Sequence, residues 1–211
     1  MVGSVSHSAV FEADNLSCRR SGRCVFRGVS FVLEAGGALV VMGANGSGKS
    51  TLLRVLAGLL PHVGGSLRWQ GEILNPFGEG WRERVRYVGH LDACKPEWTV
   101  GETLAYWGDL YRATLRDDPF CLLPDVGTGR LVRFLSAGQR RKLALTRLCL
   151  SGGTQESRVW LLDEPMTALD QVGQDALVNL IESHRKAAGL VVIASHQGVP
   201  LSRQVVLSLS V

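Results

Sequence analysis

Short apolar runs and longer stretches of helical periodicity take turns along this chain. Ala38-Leu39-Val40-Val41-Met42 is apolar throughout, the pattern of a strand buried on both faces. Val159-Trp160-Leu161-Leu162 and Leu190-Val191-Val192-Ile193-Ala194 repeat it, the first ending in Asp163-Glu164 and the second leading through Ser195 to His196. Thr51 to Gly58 is apolar at helical spacing and is stopped by Pro61, and Asp175 to Ala188 reads as an amphipathic helix. Thr99-Val100-Gly101-Glu102 and Ser136-Ala137-Gly138-Gln139 each match the capping box, predicting helix starts, the first running to about Leu110. Val10-Phe11-Glu12-Ala13 and Val29-Ser30-Phe31-Val32-Leu33 alternate around Ser21-Gly22, which predicts antiparallel strands with one packed and one wet face. Glu34-Ala35-Gly36-Gly37 reads as a turn, Ser66 to Trp69 as a further strand, Val85 to His90 as a strand leading to a loop that ends in the histidine, and Arg203 to Val211 as an edge strand. Strands alternating with helices predict an α/β fold with a mostly parallel core sheet and ligands at its C-terminal edge. Asp92 to about Leu135, which carries Pro119, Pro124 and Gly127-Thr128-Gly129, reads as a small helical lobe inserted into that core. Residues 1–211 otherwise form one domain.

Between the first apolar run and the helix after it lies Gly43-Ala44-Asn45-Gly46-Ser47-Gly48-Lys49-Ser50, followed by Thr51. This is the pattern G-x-x-x-x-G-K-[ST] in the strand–loop–helix context that its chemistry needs. Glycines let the backbone wrap a phosphate with its N–H groups inward, and the helix N-terminus adds its positive dipole end. Lys49 is positioned to reach the β- and γ-phosphates, and the Ser50 hydroxyl to hold Mg²⁺. The sequence therefore predicts nucleoside triphosphate binding.

Composition changes this picture little. The 45% apolar and 20% charged fractions are those of a globular chain, and a net charge of +4 comes from scattered residues rather than a nucleic-acid-binding arm. Cys18, Cys24, Cys94, Cys121 and Cys149 show neither C-x-x-C nor haem-attachment spacing and read as reduced, structural thiols. Residues 1–9 lack the apolar core of a secretory signal, and the apolar runs are too short to span a bilayer. Arg140-Arg141-Lys142 opens a helix with three cations against its dipole. Long side chains reaching water explain that, and an anion bound at the helix start is the alternative.

The motifs downstream of the phosphate loop narrow the class. Leu135-Ser136-Ala137-Gly138-Gln139 resembles the LSGGQ signature of ABC transporter ATPases, with Ala137 in place of the first glycine. Leu161-Leu162-Asp163-Glu164-Pro165 resembles their Walker B strand, Ala168-Leu169-Asp170 their D-loop, and His196 their switch histidine, all in the family's order. The resemblance implies a P-loop NTPase of ABC type that uses ATP and Mg²⁺. It implies that Asp163 and Ser50 hold the metal, that Glu164 is the general base, and that His196 contacts the γ-phosphate. Residues 43–51 would cradle the phosphates of one ATP. Ser136, Gly138 and Gln139 would complete the cage of a second ATP, held by the opposing subunit of a homodimer.

Gly89-His90 where ABC ATPases usually carry the Q-loop glutamine, L-S-A-G-Q followed by two arginines, and the Trp160-to-Asp170 segment with one extra residue all resemble the CcmA family. CcmA proteins are the ATP-binding subunits of the ABC complex of cytochrome c biogenesis, also called the haem exporter. That likeness implies a peripheral location on the cytoplasmic face of a bacterial inner membrane, a CcmB-like membrane subunit, and a CcmC-like protein nearby. It implies a role in handling haem, although no residue reads as a haem ligand; His7, His62 and His184 read as surface histidines. The aromatic residue that usually stacks on adenine is replaced by Arg20, whose guanidinium can also stack on a base. Gly152 to Ser157 reads as an inserted surface loop. Three alternatives stand beside this reading: the ATPase of another small exporter for lipid, lipoprotein or drug, a soluble ABC ATPase acting on ribosomes or DNA, and a non-hydrolysing binding module.

Overall fold

A computed structural model describes residues 9–115, 126–151 and 158–209. His7, Cys121 and the Gly152–Ser157 insertion lie outside the described residues. The chain begins with β1 (Ala9–Arg20), β2 (Arg23–Glu34), β3 (Ala38–Met42) and α1 (Lys49–Leu56). β4 (Gly64–Trp69), β5 (Glu72–Ile73), α2 (Glu79–Arg84) and β6 (Val85–Val88) follow. Next come α3 (Val100–Tyr111), β7 (Thr114–Leu115), a 3-10 turn at Val132–Phe134 and α4 (Ala137–Thr146). β8 (Leu150–Ser151), β9 (Val159–Asp163), α5 (Gln171–Lys186), β10 (Leu190–Ser195) and β11 (Gln204–Ser208) complete the order.

The fully apolar runs form the centre of a five-stranded sheet in the order β11-β3-β10-β9-β6, with every pair parallel. β9 and β10 are buried along their whole length, whereas the edge strand β11 is largely exposed. β1 and β2 pair antiparallel and join β4 and β5 in a second sheet. Each of the first two strands is 12 residues long, beyond the fragments in which alternation is legible. Irregularities around Asn15 (φ 50°) and between Cys18 and Arg19 interrupt the period of two there. Between the sheets, Phe11, Phe31, Trp69 and Trp81 pack with ring centroids 5.0–6.1 Å apart. The Trp81 indole N–H donates to Leu56 O at 2.8 Å, which satisfies a carbonyl at the C-terminal end of α1.

α5 starts at Gln171, ahead of the periodic stretch, because the Asp170 carboxylate accepts the Gly173 N–H at 3.0 Å and caps the helix. His184 is not a surface histidine: its ring lies on that of Trp160, centroids 3.8 Å apart and planes 5° from parallel. His62 is half-buried. Cys18, Cys24 and Cys94 are free thiols, and Cys149 is buried. Burial pushes Cys94 up to about 11 and also raises Cys18, which makes both poor nucleophiles.

Between β6 and β9, Val100, Leu104 and Trp107 of α3 gather with Val126, Val132 and Leu135 into a separate small core. Leu143 of α4 and Leu150 of β8 belong to it as well, so it reaches past residue 135. Both capping boxes are formed. At α3 the Thr99 hydroxyl accepts the Glu102 N–H at 3.1 Å, and Glu102 Oε2 accepts from Thr99 N at 2.7 Å and Thr99 Oγ1 at 2.8 Å. Thr99→Ala is expected to cost about 1 kcal/mol, read as a lower urea midpoint. The Thr99 backbone N–H, and after it the Thr99 hydroxyl, holds the Glu102 carboxyl below its usual range. The bond is therefore fully stabilising above the unfolded-state pKa and is lost as pH falls through the lower native one. Wild type and Thr99→Ala should accordingly converge in acid.

Candidate active site

Parallel register brings three strand ends to one edge of the sheet. Met42 of β3 pairs with Ser195 of β10, and Ala194 of β10 pairs with Asp163 of β9. Gly43, Glu164 and His196 are the residues that follow these ends. The phosphate loop is shaped by what surrounds it. A Cβ on Gly43 (φ 155°) would lie 2.5 Å from Ser47 Oγ and 2.6 Å from Leu209 O, and one on Gly48 (φ 98°) would lie 2.8 Å from Val25 of β2. Only glycine fits either position without displacing its neighbours. Gly48 is the N-cap of α1 and supplies no side chain to the first turn, so the helix opens with backbone N–H groups. Ser47 is buried and its hydroxyl has no protein partner among the described residues.

Lys49 is buried and folds back along the loop, its ammonium donating to Gly43 O at 2.8 Å and Ala44 O at 3.1 Å. The same Nζ lies 3.9 Å from Glu164 Oε1. Glu164 Oε2 lies 2.9 Å from His196 Nδ1; a carboxylate accepts, so that nitrogen carries the proton. Ser50 Oγ donates to Asp163 Oδ1 at 3.0 Å. Asp163 is 0% exposed, and its Oδ2 has no partner among the described residues. A buried carboxylate oxygen left over beside a hydroxyl is the donor set of a hard divalent cation, so these residues fit Mg²⁺. Next to the Glu164–His196 pair opens a polar cleft of about 270 Å³, lined among others by Thr167, Gln171, Gln174 and Gln197.

Glu164 is held in an unusual backbone conformation, φ 48°, where a non-glycine residue is strained by about 1–3 kcal/mol. Its N–H donates to Ala194 O at 2.9 Å. On the other side, Arg141 Nη2 donates to the carbonyls of Asp163 (2.7 Å) and Glu164 (2.9 Å), and Nε to that of Pro165 (3.4 Å). The expectation that the cations opening α4 reach water is overturned. Arg141 is 4% exposed; Arg140 donates to Leu135 O at 3.1 Å; Lys142 pairs with Asp170 at 2.8 Å. Protein oxygens, not solvent, balance the charge. The pairing with Lys142, followed by the Gly173 N–H, holds the Asp170 carboxyl below its usual range.

The structure thus joins residues 43–51 to Asp163, Glu164 and His196. Ser136, Gly138 and Gln139 stand apart from them at the start of α4. The side chains of Ser136 and Gln139 bond to each other's backbone N–H groups, and a Cβ on Gly138 would meet Ala168 O at 2.7 Å. His90 and Arg20 are both exposed. Arg20 sits opposite Arg23 on the hairpin whose Val25 touches the phosphate loop.

Known proteins share this fold and much of this sequence. The family model described as ABC transporter matches residues 26–167. A solved ABC transporter ATP-binding protein from Pyrococcus furiosus superposes with TM-score 0.78 at 20% identity, covering 94% of this chain and 96% of that one. The chain is 45% identical to the cytochrome c biogenesis ATP-binding export protein CcmA of Paramagnetospirillum magneticum over 90% of its own length and 89% of that protein's. It is 43% identical to the protein of the same name from Rhodospirillum rubrum (95% and 86%) and 39% identical to that from Haemophilus influenzae (89% and 89%). Fold, motif order and relatives agree: the chain is an ABC ATPase and belongs to the CcmA family.

Proposed function

We propose that this chain is the ATP-hydrolysing, energy-coupling subunit of a membrane complex in c-type cytochrome biogenesis, and that residues 1–211 act as one ATP-binding domain with a helical lobe at about 92–135. The observation that carries the chemistry is the convergence of Lys49, Glu164 and His196 beside a phosphate loop that opens on a helix start. In this reading the backbone of Gly43, Ala44, Asn45, Gly46, Ser47 and Gly48 wraps the ATP phosphates together with Thr51, and Lys49 neutralises the β- and γ-oxygens. Ser50 and Asp163 would hold Mg²⁺, which supplies further charge neutralisation to the phosphates. Glu164 takes a proton from a water whose oxygen attacks the γ-phosphorus as the bond to the ADP oxygen breaks. His196 keeps the carboxylate aimed, contacts the γ-phosphate and helps align that water.

Ser136, Gly138 and Gln139 face no nucleotide of their own chain in this scheme. A second copy, opposed head to tail, receives them, so that two chains sandwich two ATP molecules. No helix among the described residues is long and apolar enough to cross a membrane. In this reading the chain works with a CcmB-like membrane subunit, with a CcmC-like protein beside it, at the cytoplasmic face of a bacterial inner membrane. Haem handling is the role that follows from the relatives' place in cytochrome c biogenesis.

Affinity capture of the tagged chain from native membranes, with bound proteins identified by mass spectrometry, tests this. Recovery of CcmB-like and CcmC-like proteins is expected. A different permease would keep the ATPase and discard the cytochrome role; ribosomal proteins in its place would overturn the transporter reading.

A further inference from the structure

We infer that Arg141 is a positioning residue for hydrolysis: its buried guanidinium fixes the backbone of Glu164 and ties it to the loop at 89–92 that leads from β6 toward α3. The inference rests on the assignment of Glu164 as general base.

The five N–H donors of the guanidinium have five acceptors. Nη2 takes the carbonyls of Asp163 and Glu164, and Nε takes that of Pro165. Nη1 takes Gly89 O at 2.9 Å and Asp92 Oδ1 at 3.2 Å. Three successive carbonyls converge on one cation because the chain turns through the left-handed conformation at Glu164. Without the cation those carbonyls would repel one another in a dry site, and the turn would be left with the single bond from Thr167 N–H to Glu164 O at 3.2 Å to hold it against an extended continuation of β9. The side chain of Glu164 leaves from this strained α-carbon, so its carboxylate points at Lys49 and His196 only while the turn holds. The remaining two donors grip the far side of the site. Gly89 immediately precedes the exposed His90, and Asp92 is the sole carboxylate that Arg141 meets among the described residues. A displacement of residues 89–92 must therefore either pull the guanidinium off the Asp163–Pro165 carbonyls or break its own bonds. A lysine cannot replace this, having three donors on a single atom in place of a planar fork.

The test is ATP hydrolysis by the membrane complex, with nucleotide affinity measured separately by equilibrium binding of ATP. Arg141→Lys is expected to lower kcat at least tenfold while ATP affinity and KM stay within about twofold. In single-turnover assays with radiolabelled ATP, adding Arg141→Lys to Glu164→Gln is expected to change the residual rate by less than twofold, because the group being positioned is already gone. The same fold loss in both backgrounds, or an unchanged kcat in the single variant, would overturn the inference. Retained ATP binding reports that the variant is folded. If Arg141→Lys does not fold, Asp92→Ala, which leaves the four carbonyl contacts in place, is expected to lower kcat severalfold at constant KM; an unchanged kcat would overturn the link to the loop. Wild-type turnover by Glu164→Gln would remove the general-base assignment itself. A dead Glu164→Gln beside an undiminished Arg141→Lys would remove only the role of Arg141.

Discussion

Glu164→Gln lowers ATP turnover by at least about 10²-fold while leaving ATP bound as well as before, or better; this is the expected result of removing a general base without changing its shape. The amide keeps an oxygen that can accept from His196 Nδ1, so the 2.9 Å contact has a counterpart in the variant. Its backbone bonds, from its N–H to Ala194 O and from Arg141 to its own carbonyl, do not depend on the side chain. What goes is the basicity proposed to accept a proton from water, together with a negative charge 3.9 Å from Lys49 Nζ. Loss of that charge reduces repulsion toward an incoming triphosphate, so affinity is not expected to fall. Single-turnover hydrolysis and equilibrium nucleotide binding on the same preparation separate the two effects. A wild-type rate would sink the assignment.

Lys49→Ala is expected to damage both properties, with turnover down about 10³-fold and ATP affinity at least tenfold weaker. The ammonium is buried among Gly43 O, Ala44 O and Glu164 Oε1, so it is desolvated and held against the phosphate loop. In alanine's place the loop keeps its N–H groups but loses its one side-chain cation, and the phosphates face Glu164 and Asp163 without an intervening positive charge. The contrast is diagnostic: Glu164→Gln separates binding from chemistry, and Lys49→Ala does not. Equal ATP affinity for Lys49→Ala and wild type would show that the triphosphate binds elsewhere.

Signals carried within a few residues were legible in the sequence. The phosphate loop, the capping boxes at Thr99 and Ser136, and the apolar runs of β3, β9 and β10 each announce themselves in a short window, because a turn or a buried strand is specified by adjacent residues. The shared edge where Gly43, Glu164 and His196 meet followed from the rule that parallel strands present ligands at their C-terminal ends. Arg141 was misread because its acceptors lie 22 to 52 residues away, and a solvated arginine and a buried one look alike in a sequence. The stacking of His184 on Trp160 was hidden in the same way. α2 left no trace because six residues hold too little periodicity, and its N-cap is Gly78, which supplies no capping side chain.

The order β11-β3-β10-β9-β6 also sets a timetable for biosynthesis. β3, which carries the phosphate loop, has β10 and β11 as its sheet neighbours, and both come from the last part of the described chain. At typical synthesis rates of about 5–20 residues per second, β3 waits on the order of 10–30 s for either neighbour to be made. Through that interval both of its hydrogen-bonding edges are open and its apolar side chains lack the sheet that will cover them. A ribosome-bound chain of this sequence is thus at its most aggregation-prone while the nucleotide site is still incomplete, and closure of the sheet and completion of the ATP site are one late event.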